Sequence, residues 1–525
     1  MKMVLSALAF LWATSAFADP TIPPQAVYPG CEQPLTTANH YWYFDPTNGD
    51  DLKGDGSTAK PWMHLSALFT AVRGNPNTPL LSTIAANRAG TPPVNPGDAI
   101  VLKSGNYGDV SFGSGMPPHV DVPQWISVLP DTGAKPVFHS LYIGNTERWA
   151  FSGFEVQSGK VATWTAMIEI MGNSNGGGVT HDLAFTNIKL DSADESVWRT
   201  WTTPDPWDDN TRIGFASRSG SGTYCVSLTD SHLQAVSIAV AITSPSALVQ
   251  GVEIDHFIGD GIDIAASNIT VARNKIHDII SPKNGLHTDG IQGQFGRAPP
   301  GLPYDTYDNV QIDSNWVQAI ADPWIKANPP LINYLQGIVG FDGDWAHLKI
   351  TNNVVITHGC WGIWFGSTHD SLMANNTVIW DGLPGANCKP LVTLGGRTHQ
   401  GPVSTNGTVV NNMGPSMGFR ADPGFVWDKN VCVSAPGEGC LFVYVDPAGK
   451  AFYYGKPGTY QGNTMIDDAT KPGGSFNQYV LINNAALAYD LRLAPEAQAR
   501  LWGTMTQAPA ASFGGGKRAI NPGAY

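Results

Sequence analysis

The chain has 525 residues and a formal net charge of −13, and only 14% of its residues are charged. Because it contains no run of basic residues, it lacks the cationic surface that non-specific nucleic-acid binding requires. The 58 glycines and 39 prolines favour a fold with many turns, and the length is sufficient to bury a large core.

Residues 1–18 are predicted to be a secretory signal peptide. They contain a charged Lys2, an apolar run over residues 4–13 and the small-residue cleavage site Ala16-Phe17-Ala18. The apolar run is too short to cross a bilayer, and no other stretch approaches the necessary length. The sequence therefore predicts a secreted or periplasmic protein without a membrane span, which we expect to be a monomer.

The next elements are short. Residues 19–40 are rich in proline and are predicted to form an irregular leader. Residues 66–73 are predicted to form a short amphipathic helix that caps the apolar end of the following domain. Residues 96–107 form a strand with a turn on each side, and further short strands follow it.

Two short motifs recur over residues 260–364. One is a Gly-Ile pair with variable flanks, and the other is an asparagine within an apolar/polar alternation. Asn376, the last copy of the second motif, follows Asn353 by 23 residues. The pairs are Gly261-Ile262, Gly290-Ile291, Gly337-Ile338 and Gly362-Ile363, and the asparagines are Asn274, Asn315, Asn353 and Asn376.

A repeat of about 23 residues with several short β-runs leaves no room for an amphipathic helix. One turn of a parallel β-solenoid fits, because each coil exposes an apolar face that the next coil covers. Equivalent residues of neighbouring coils then lie about 4.8 Å apart. We predict an all-β fold, with a single parallel β-helix over residues 41–412 and C-terminal coils with an irregular cap over residues 413–525.

The six cysteines are predicted to form disulfides, because an exported protein meets an oxidising compartment. Fifteen connectivities are formally possible. The best supported pair is Cys432–Cys440, because these two cysteines bracket a Pro-Gly-Glu-Gly turn. Cys360 and Cys388 lie about one coil apart and are the second pair, and Cys31–Cys225 is the pair that remains.

Two N-terminal motifs resemble the first coils of a known superfold. They are YWYFDPTNGDD followed by GDGSTAKPW, within residues 41–62, and PGDAIVLKSGNY, residues 96–107. Both resemble right-handed parallel β-helix proteins of the pectate-lyase-like superfold. The resemblance implies a right-handed β-helix that acts on carbohydrate. It does not imply one reaction, because the superfold hosts lyases, hydrolases, epimerases, esterases and non-catalytic spike proteins.

Three insertions interrupt the coils, at residues 191–222, 293–309 and 318–334, and they carry tryptophans and charged residues. Long loops without secondary structure of their own usually have a function. If the three emerge on one side, they wall a groove across the coils of residues 260–364.

An acidic cluster is the first candidate site. Asp260, Asp263 and Asp289 flank the first two Gly-Ile pairs, and stacking of the coils brings them together. Carboxylates that close need a cation or a shared proton. A Ca²⁺ site with these three ligands is one solution, and a catalytic pair of Asp260 and Asp289 is another. For any single aspartate, capping of a turn is an equally good explanation.

The substrate-binding candidates follow from the facing of the strands. Alternation places each isoleucine of the Gly-Ile pairs inward and the next residue outward, which includes Gln292 and Trp364. Because aromatic rings stack on sugar rings, Trp361, Trp364 and Trp324 are predicted to bind substrate together with Gln292. Arg273 is a further candidate for contact with an acidic sugar.

The favoured function is a polysaccharide lyase. β-Elimination on a uronic acid needs a group that neutralises the sugar carboxylate, for which Ca²⁺ or arginine serves, and a base that removes the α-proton. Besides the aspartates, the catalytic candidates are His287, Lys283, Arg297 and Lys326. The predicted partner is a uronic-acid-containing polysaccharide, and Ca²⁺ is the one cofactor that the sequence suggests.

Two other functions stay open. The segment His287-Thr288-Asp289-Gly290 resembles the Asn-Thr-Asp-Gly signature of polygalacturonase-type hydrolases, although the rest of that pattern is absent and only Asp289 matches the acid. A glycoside hydrolase with paired carboxylates is therefore the second hypothesis. A non-catalytic glycan-binding or surface β-helix is the third.

Overall fold

A computed structural model describes most of the chain. The described residues are 19–65, 94–112, 124–144, 146–159, 166–172, 179–218, 222–283, 288–294, 306–383, 388–398, 401–433, 441–445, 451–454, 458–460, 463–466, 479–483 and 488–493. The signal peptide, the capping helix predicted at residues 66–73, His287, Arg297 and Cys440 lie outside them.

The fold is a right-handed parallel β-helix made of three long sheets. Each coil contributes one strand to sheet 1, then one to sheet 2 and then one to sheet 3, and equivalent strands of successive coils pair in parallel. Sheets 1 and 3 have 13 strands each, and sheet 2 has 14. The predicted all-β solenoid is confirmed.

The strands are numbered in chain order. Sheet 1 consists of β1 Tyr41–Phe44, β2 Ala99–Leu102, β5 Ile126–Pro130, β8 Glu147–Ser152, β11 Thr180–Thr186, β14 Thr223–Thr229, β17 Ala247–Gln250, β20 Ile269–Ala272, β24 Val310–Asp313, β28 Lys349–Thr351, β32 Leu372–Ala374, β35 Thr408–Val410 and β38 Val426–Asp428. Sheet 2 consists of β3 Gly105–Asn106, β6 Pro136–Phe138, β9 Glu155–Gln157, β12 Lys189–Asp191, β15 His232–Gln234, β18 Glu253–Phe257, β21 Lys275–Ile279, β25 Trp316–Gln318, β29 Val354–Thr357, β33 Thr377–Trp380, β36 Met413–Gly414, β39 Val431–Val433, β42 Gly458–Tyr460 and β43 Asn463–Ile466. Sheet 3 consists of β4 Asp109–Phe112, β7 Ser140–Gly144, β10 Ala166–Met171, β13 Ile213–Arg218, β16 Val240–Ile242, β19 Ile262–Ile264, β22 Thr288–Gly293, β26 Leu335–Gly340, β30 Trp361–Phe365, β34 Leu391–Leu394, β37 Ser416–Arg420, β40 Leu441–Val445 and β41 Ala451–Tyr454.

The remaining elements lie between or after the coils. A small parallel sheet joins β23 Thr306–Asp308, β27 Asp344–Ala346 and β31 Thr368–His369, and an antiparallel pair joins β44 Tyr479–Asn483 and β45 Ala488–Leu493. The helices are α1 Glu195–Trp198, α2 Pro204–Asn210, α3 Pro323–Ala327 and a 3₁₀ turn, Pro329–Leu331. None of the described helices is long and apolar enough to cross a membrane.

The Gly-Ile pairs stack in register, as the repeat predicts. Ile262 pairs with Ile291, Ile291 with Ile338 and Ile338 with Ile363, and all four side chains are fully buried. The glycine before each isoleucine is needed because the chain passes close to sheet 2 there. A Cβ atom at Gly337 would lie 2.5 Å from Val355 Cγ1 and 2.1 Å from the carbonyl oxygen of Gly362.

The repeated asparagines form a buried ladder at the corner between sheets 1 and 2. The Asn315 side chain donates to Asn353 Oδ1 (2.9 Å) and to the Val271 carbonyl (2.9 Å), and accepts from the Asn274 side chain (3.0 Å). The ladder runs further than the repeat had shown. Its rungs are Asn274, Asn315, Asn353, Asn376, Asn412 and Asn430, and all are fully buried.

The leader, residues 19–40, has no regular secondary structure and is fastened along the outside of sheet 1. The Tyr43 hydroxyl bonds to the Asp19 carboxylate (2.8 Å) at one end, and Asn309 Nδ2 donates to the Tyr28 hydroxyl (3.1 Å) several coils further along. A disulfide joins the leader to β14. The leader therefore spans the stack rather than leaving it.

Two predicted disulfides are present. Cys31 and Cys225 are joined with a Cα–Cα distance of 5.7 Å, and Cys360 and Cys388 with one of 5.2 Å. Cys432 is also disulfide-bonded. Of the predicted Cys432–Cys440 pair, one cysteine is therefore in a bond and the other lies outside the described residues.

Parallel pairing continues beyond residue 413, where β40 pairs in parallel with β37 and β43 with β39. Strand β41 then pairs antiparallel to β40, and β42 antiparallel to β43. The regular stacking of coils thus stops at this end of the solenoid.

Candidate functional site

The outer face of sheet 3 along β19, β22, β26 and β30 collects most of the predicted site residues, and we call it the sheet-3 face. Register places Asp263, Gln292, Val339 and Trp364 in one column across these strands. Since neighbouring strands lie about 4.8 Å apart, the acidic and tryptophan ends of the column are about 14 Å apart.

The insertions do not all connect the same pair of sheets. The first is shorter than predicted, residues 192–212, because Ile213–Arg218 forms β13 of sheet 3. It connects sheet 2 to sheet 3, as do residues 319–334. Residues 294–309 instead connect sheet 3 to sheet 1.

The three aspartates of the acidic cluster lie on adjoining coils. Asp260 Oδ1 accepts the backbone N–H of Asp289 (2.8 Å), so Asp260 does bond to the next coil, as a turn-capping residue would. Asp289 is fully buried and Asp263 is only 3% exposed, whereas Asp260 is half-buried. Alternation places Asp263 on the outer face of sheet 3, as predicted, but its side chain is buried there.

The pKa of Asp263 is raised well above its ordinary value. Burial is the largest cause, and the charges of Asp260 and Asp289 add to it, together with a hydrogen bond between Asp263 and Asp260. Asp263 Oδ1 is buried and has no hydrogen-bond partner among the described residues. The crowding of the three carboxylates therefore favours a shared proton or a bound cation.

Aromatic side chains form the other end of the column. The ring centroids of Trp361 and Trp364 are 5.2 Å apart, and Phe341 lies 4.6 Å from Trp364 and 5.7 Å from Trp361. All three rings are half-buried, so each presents part of its surface. Between the two ends, Gln292 accepts a hydrogen bond from Gln294 (2.8 Å), and the side chain of Val339 is fully buried.

Three predicted basic residues are described, and they occupy different places. Lys283 lies at the corner between sheets 2 and 3, where its exposed ammonium is 3.3 Å from Asp205. Lys326 is half-buried in α3. Arg273 lies at the corner between sheets 1 and 2 with φ of 56°, directly before the ladder residue Asn274, so the structure does not bring it to the carboxylates.

Trp324 packs over sheet 2, away from the tryptophan end of the column. Its ring centroid is 5.8 Å from that of Trp198 and 6.3 Å from that of His256 on β18. The Arg199 guanidinium lies over both tryptophans, 4.7 Å from the Trp198 centroid and 5.4 Å from the Trp324 centroid. Two insertions from coils well separated along the stack are thereby packed against each other.

A charged network, missed by the sequence analysis, fastens these insertions. His256 lies 2.5 Å from Asp255 through Nδ1 and 3.2 Å from Asp322 through Nε2, and Arg199 bonds to Asp322 at 2.6 Å. Burial lowers the pKa of His256, but hydrogen bonds to the two carboxylates outweigh it and raise the pKa to about 9. The imidazole is therefore charged at neutral pH and links the two insertions to β18.

A buried histidine–aspartate pair lies closer to the sheet-3 face. His358 Nδ1 is 2.9 Å from Asp381 Oδ2, and the two side chains are 1% and 3% exposed. Both residues lie at the corner between sheets 2 and 3, on coils 23 residues apart in the sequence. That separation equals the length of one coil, so the sequence spacing itself predicts that the two residues are neighbours in the stack.

A surface cavity with a volume of about 560 Å³ lies elsewhere. It follows the corner between sheets 1 and 2 of the N-terminal coils and is lined by Lys135, Glu155, Lys189, His232 and Glu253, among others. None of the site residues predicted from the sequence is among its described lining residues. We place the chemistry at the carboxylates and not at this cavity, because its Lys189 and Glu155 pair with each other and its Glu253 and His232 pair with Lys275 and Asp255 outside it.

No protein-family model and no curated protein sequence matches the chain. Its structure is similar to that of pectate lyase Pel9A, at 13% identity and a TM-score of 0.36, over 93% of this chain and 96% of that one. It is also similar to that of the A-module of the Azotobacter vinelandii mannuronan C-5 epimerase AlgE6, at 11% identity and a TM-score of 0.41, over 73% of this chain and 92% of that one. A GH136 lacto-N-biosidase from Eubacterium ramulus is similar as well, at 12% identity and a TM-score of 0.38, over 81% of this chain and 67% of that one. Identities and TM-scores this low assign neither a family nor an activity to the chain.

Proposed function

We propose that this protein is an exported carbohydrate-active enzyme that cleaves a uronic-acid-containing polysaccharide by β-elimination on the sheet-3 face. The observation that carries the proposal is the cluster of Asp260, Asp263 and Asp289 on adjoining coils, two of them buried. Such a cluster is costly for stability alone, because each buried carboxylate opposes the ionisation of the others.

The donor chemistry of the cluster suits Ca²⁺, since all its donors are carboxylate oxygens and one buried oxygen of Asp263 has no partner among the described residues. The three carboxylates do not offer ligand atoms that all lie within 4.8 Å of one another, so Asp260, Asp263 and Asp289 would have to draw closer together to hold the ion. When bound, Ca²⁺ would neutralise the carboxylate of a uronic acid and so acidify its α-proton.

The residues of the chain itself orient the substrate. Trp361 and Trp364 offer partly exposed ring faces for a sugar ring, and Gln292 supplies amide groups between them and the carboxylates. A polymer that follows the column crosses successive coils over about 14 Å. Lys326, on the insertion that flanks the face, is the described basic residue that we assign to proton removal.

A glycoside hydrolase is the second candidate, and one observation favours it. Asp263 is a buried acid whose pKa is raised, and Asp289 lies on the next strand. A protonated carboxylic acid beside a carboxylate is the pair that acid-catalysed glycoside hydrolysis uses. The two mechanisms differ in their products, so one assay separates them.

The test is a product screen with pectate, alginate, other uronans and neutral glycans, with and without a chelator. A lyase yields unsaturated ends that absorb in the ultraviolet, and a chelator abolishes them until Ca²⁺ is restored. New reducing ends without that absorbance identify a hydrolase. No product from any glycan refutes both enzymes and leaves a glycan-binding β-helix.

Variants connect the activity to the cluster. Asp263→Asn and Asp289→Asn are each expected to lower the rate at least about 100-fold, as loss of a general acid or base does. The matched control is Asp109→Asn, an exposed carboxylate on β4 of the same sheet that pairs with His139. If Asp289→Asn retains wild-type turnover while it folds normally, the site is not on this cluster.

A further inference from the structure

The sheet-3 face changes character directly after the acidic cluster. Asp263 and Asp289 lie in β19 and β22, whereas the next three strands, β26, β30 and β34, consist entirely of uncharged residues. We call the outer surface of these three strands the uncharged zone. Three strand spacings separate β22 from β34, so the zone extends about 14 Å along the stack beyond Asp289.

An amide marks the start of the uncharged zone. Register places Gln336 level with Asp289 on one neighbouring strand and with Trp361 on the other. Gln336 is half-buried, and its Oε1 atom is buried without a hydrogen-bond partner among the described residues. An amide offers an acceptor and two donors, which suit the hydroxyl groups of a sugar. It offers no charge that would offset a carboxylate.

Aromatic rings form the middle of the zone. The ring centroids of Phe341, Trp361 and Trp364 lie 4.6–5.7 Å apart, and all three rings are half-buried. The face of an aromatic ring is the negative side of its quadrupole. The C–H groups of a sugar ring pack against such a face, whereas a carboxylate over it is repelled and loses hydration without gaining a partner.

The charges around the zone do not favour an anion either. Lys389 lies two residues before β34, and its ammonium is over the ring of Trp380 on sheet 2, 5.5 Å from the centroid. The whole chain has a net charge of −13, which repels a polyanion at long range. A polymer with a carboxylate on every sugar would therefore place several charges over the zone without an opposite charge from its strands.

We infer that the uncharged zone binds a neutral sugar, so that the substrate is a copolymer in which neutral sugars separate the uronic acids. This inference rests on the proposed function, which places a uronic acid at the carboxylates. Trp361 and Trp364 stack on the neutral ring, and Gln336 bonds to hydroxyl groups of the sugar that precedes it on the face. A homopolymer of uronic acid reaches the carboxylates equally well but pays for its charges over the zone.

The experiment compares substrates on the full mature chain at one Ca²⁺ concentration. Formation of unsaturated ends is followed by ultraviolet absorbance with polygalacturonate and alginate, whose sugars are all uronic acids. The copolymers are rhamnogalacturonan and gellan, in which neutral sugars separate the uronic acids. At least one copolymer is expected to give a kcat/KM about 10-fold or more above both homopolymers, because specificity is the ratio of these values.

Variants connect the preference to the zone. Trp364→Ala should raise KM for the preferred copolymer about 10-fold with kcat within about threefold, because the ring contacts a sugar away from the reacting bond. Gln336→Lys places an ammonium at the start of the zone and should lower the ratio of copolymer to homopolymer kcat/KM at least about threefold. The matched control is Gln311→Lys, which adds the same charge at a half-buried glutamine on β24 of sheet 1 and should leave the ratio unchanged.

The outcomes separate the two proposals. Equal kcat/KM on homopolymers and copolymers overturns the inference and leaves the lyase proposal standing. A wild-type KM in Trp364→Ala, or equal changes of the ratio in Gln336→Lys and Gln311→Lys, also overturns it, since the zone would then not select the sugar. The wild-type comparison needs no variant, so the test stays decisive if a variant does not fold. If no glycan yields unsaturated ends, the proposed function fails and this inference fails with it.

Discussion

Asn376 and Asn375 are neighbours in the sequence, both are fully buried, and their side chains have opposite hydrogen-bonding states. Asn376 makes four ladder bonds. It donates to Ile350 (2.8 Å) and Asn412 (2.9 Å), and it accepts from the backbone and side chain of Asn353 (3.0 and 2.9 Å). Neither side-chain atom of Asn375 has a partner among the described residues.

At about 1 kcal/mol for each hydrogen bond, Asn376→Ala is expected to lower the free energy of unfolding by about 4 kcal/mol. Asn375 has a φ of 59°, a conformation that glycine adopts without strain. Asn375→Gly removes no hydrogen bond and no side chain that bonds to a described residue. It is therefore expected to change the free energy of unfolding by less than about 1 kcal/mol.

The measurement is equilibrium unfolding in guanidinium chloride, with the slope compared among the three proteins so that a shift of midpoint reports stability. If unfolding is irreversible, unfolding rates at one temperature replace the midpoints. Equal effects of the two substitutions would refute the reasoning. So would a loss below about 1 kcal/mol for Asn376→Ala, since the ladder would then contribute little net stability.

Three further predictions concern stability. Gly337→Ala is expected to cost about 1–3 kcal/mol by overpacking, because its Cβ would lie 2.1 Å from the carbonyl of Gly362; a normal thermal melt would contradict this. The pKa of His256 is about 9 when folded, above the unfolded value, so its stabilisation is complete below pH of about 6.5 and is lost as pH rises through about 9. The stability difference between wild type and His256→Gln should therefore shrink between pH 7 and pH 10, and a constant difference would count against the network. Replacing Cys31 and Cys225 with serine should cost about 2–5 kcal/mol and expose the leader to proteases, and unchanged cleavage kinetics would show that other contacts hold it.

The stacking of the coils was predictable from the sequence because it depends on side chains that repeat. Each Gly-Ile pair supplies a small residue where the chain approaches sheet 2 and a large apolar one that fills the core. The register of the pairs then followed from alternation. The same reasoning correctly placed Trp364 on the outer face, where it is half-buried.

The covering of that face was not predictable in the same way. Alternation states on which side of a sheet a residue lies, but not whether something lies above it. Asp263 and Val339 are on the outer face and are buried all the same. Similarly, the alternation around Asn274 contains the end of one strand, a turn at Arg273 with positive φ, and the start of the next strand. This geometry turns Arg273 away from the carboxylates.

Side-chain contacts between neighbouring coils were missed, although the sequence contains a signal for them. His358 and Asp381 are 23 residues apart, and so are His232 and Asp255, whose side chains also bond. Because one coil has about that length, a histidine and an aspartate at this spacing become neighbours. A search for complementary side chains one coil apart would have found both pairs.

The ladder and the candidate site have complementary roles in the stack. The ladder asparagines bond from coil to coil at the corner between sheets 1 and 2, which fixes the spacing and register of the coils. The sheet-3 face inherits that register, so Asp263, Gln292 and Trp364 keep their column even though long insertions begin and end beside them. In a solenoid each coil contacts only its neighbours, and an insertion at one corner therefore leaves the other corners undisturbed. This separation allows the edges of the sheet-3 face to carry loops of any length while the distances between its functional side chains stay constant.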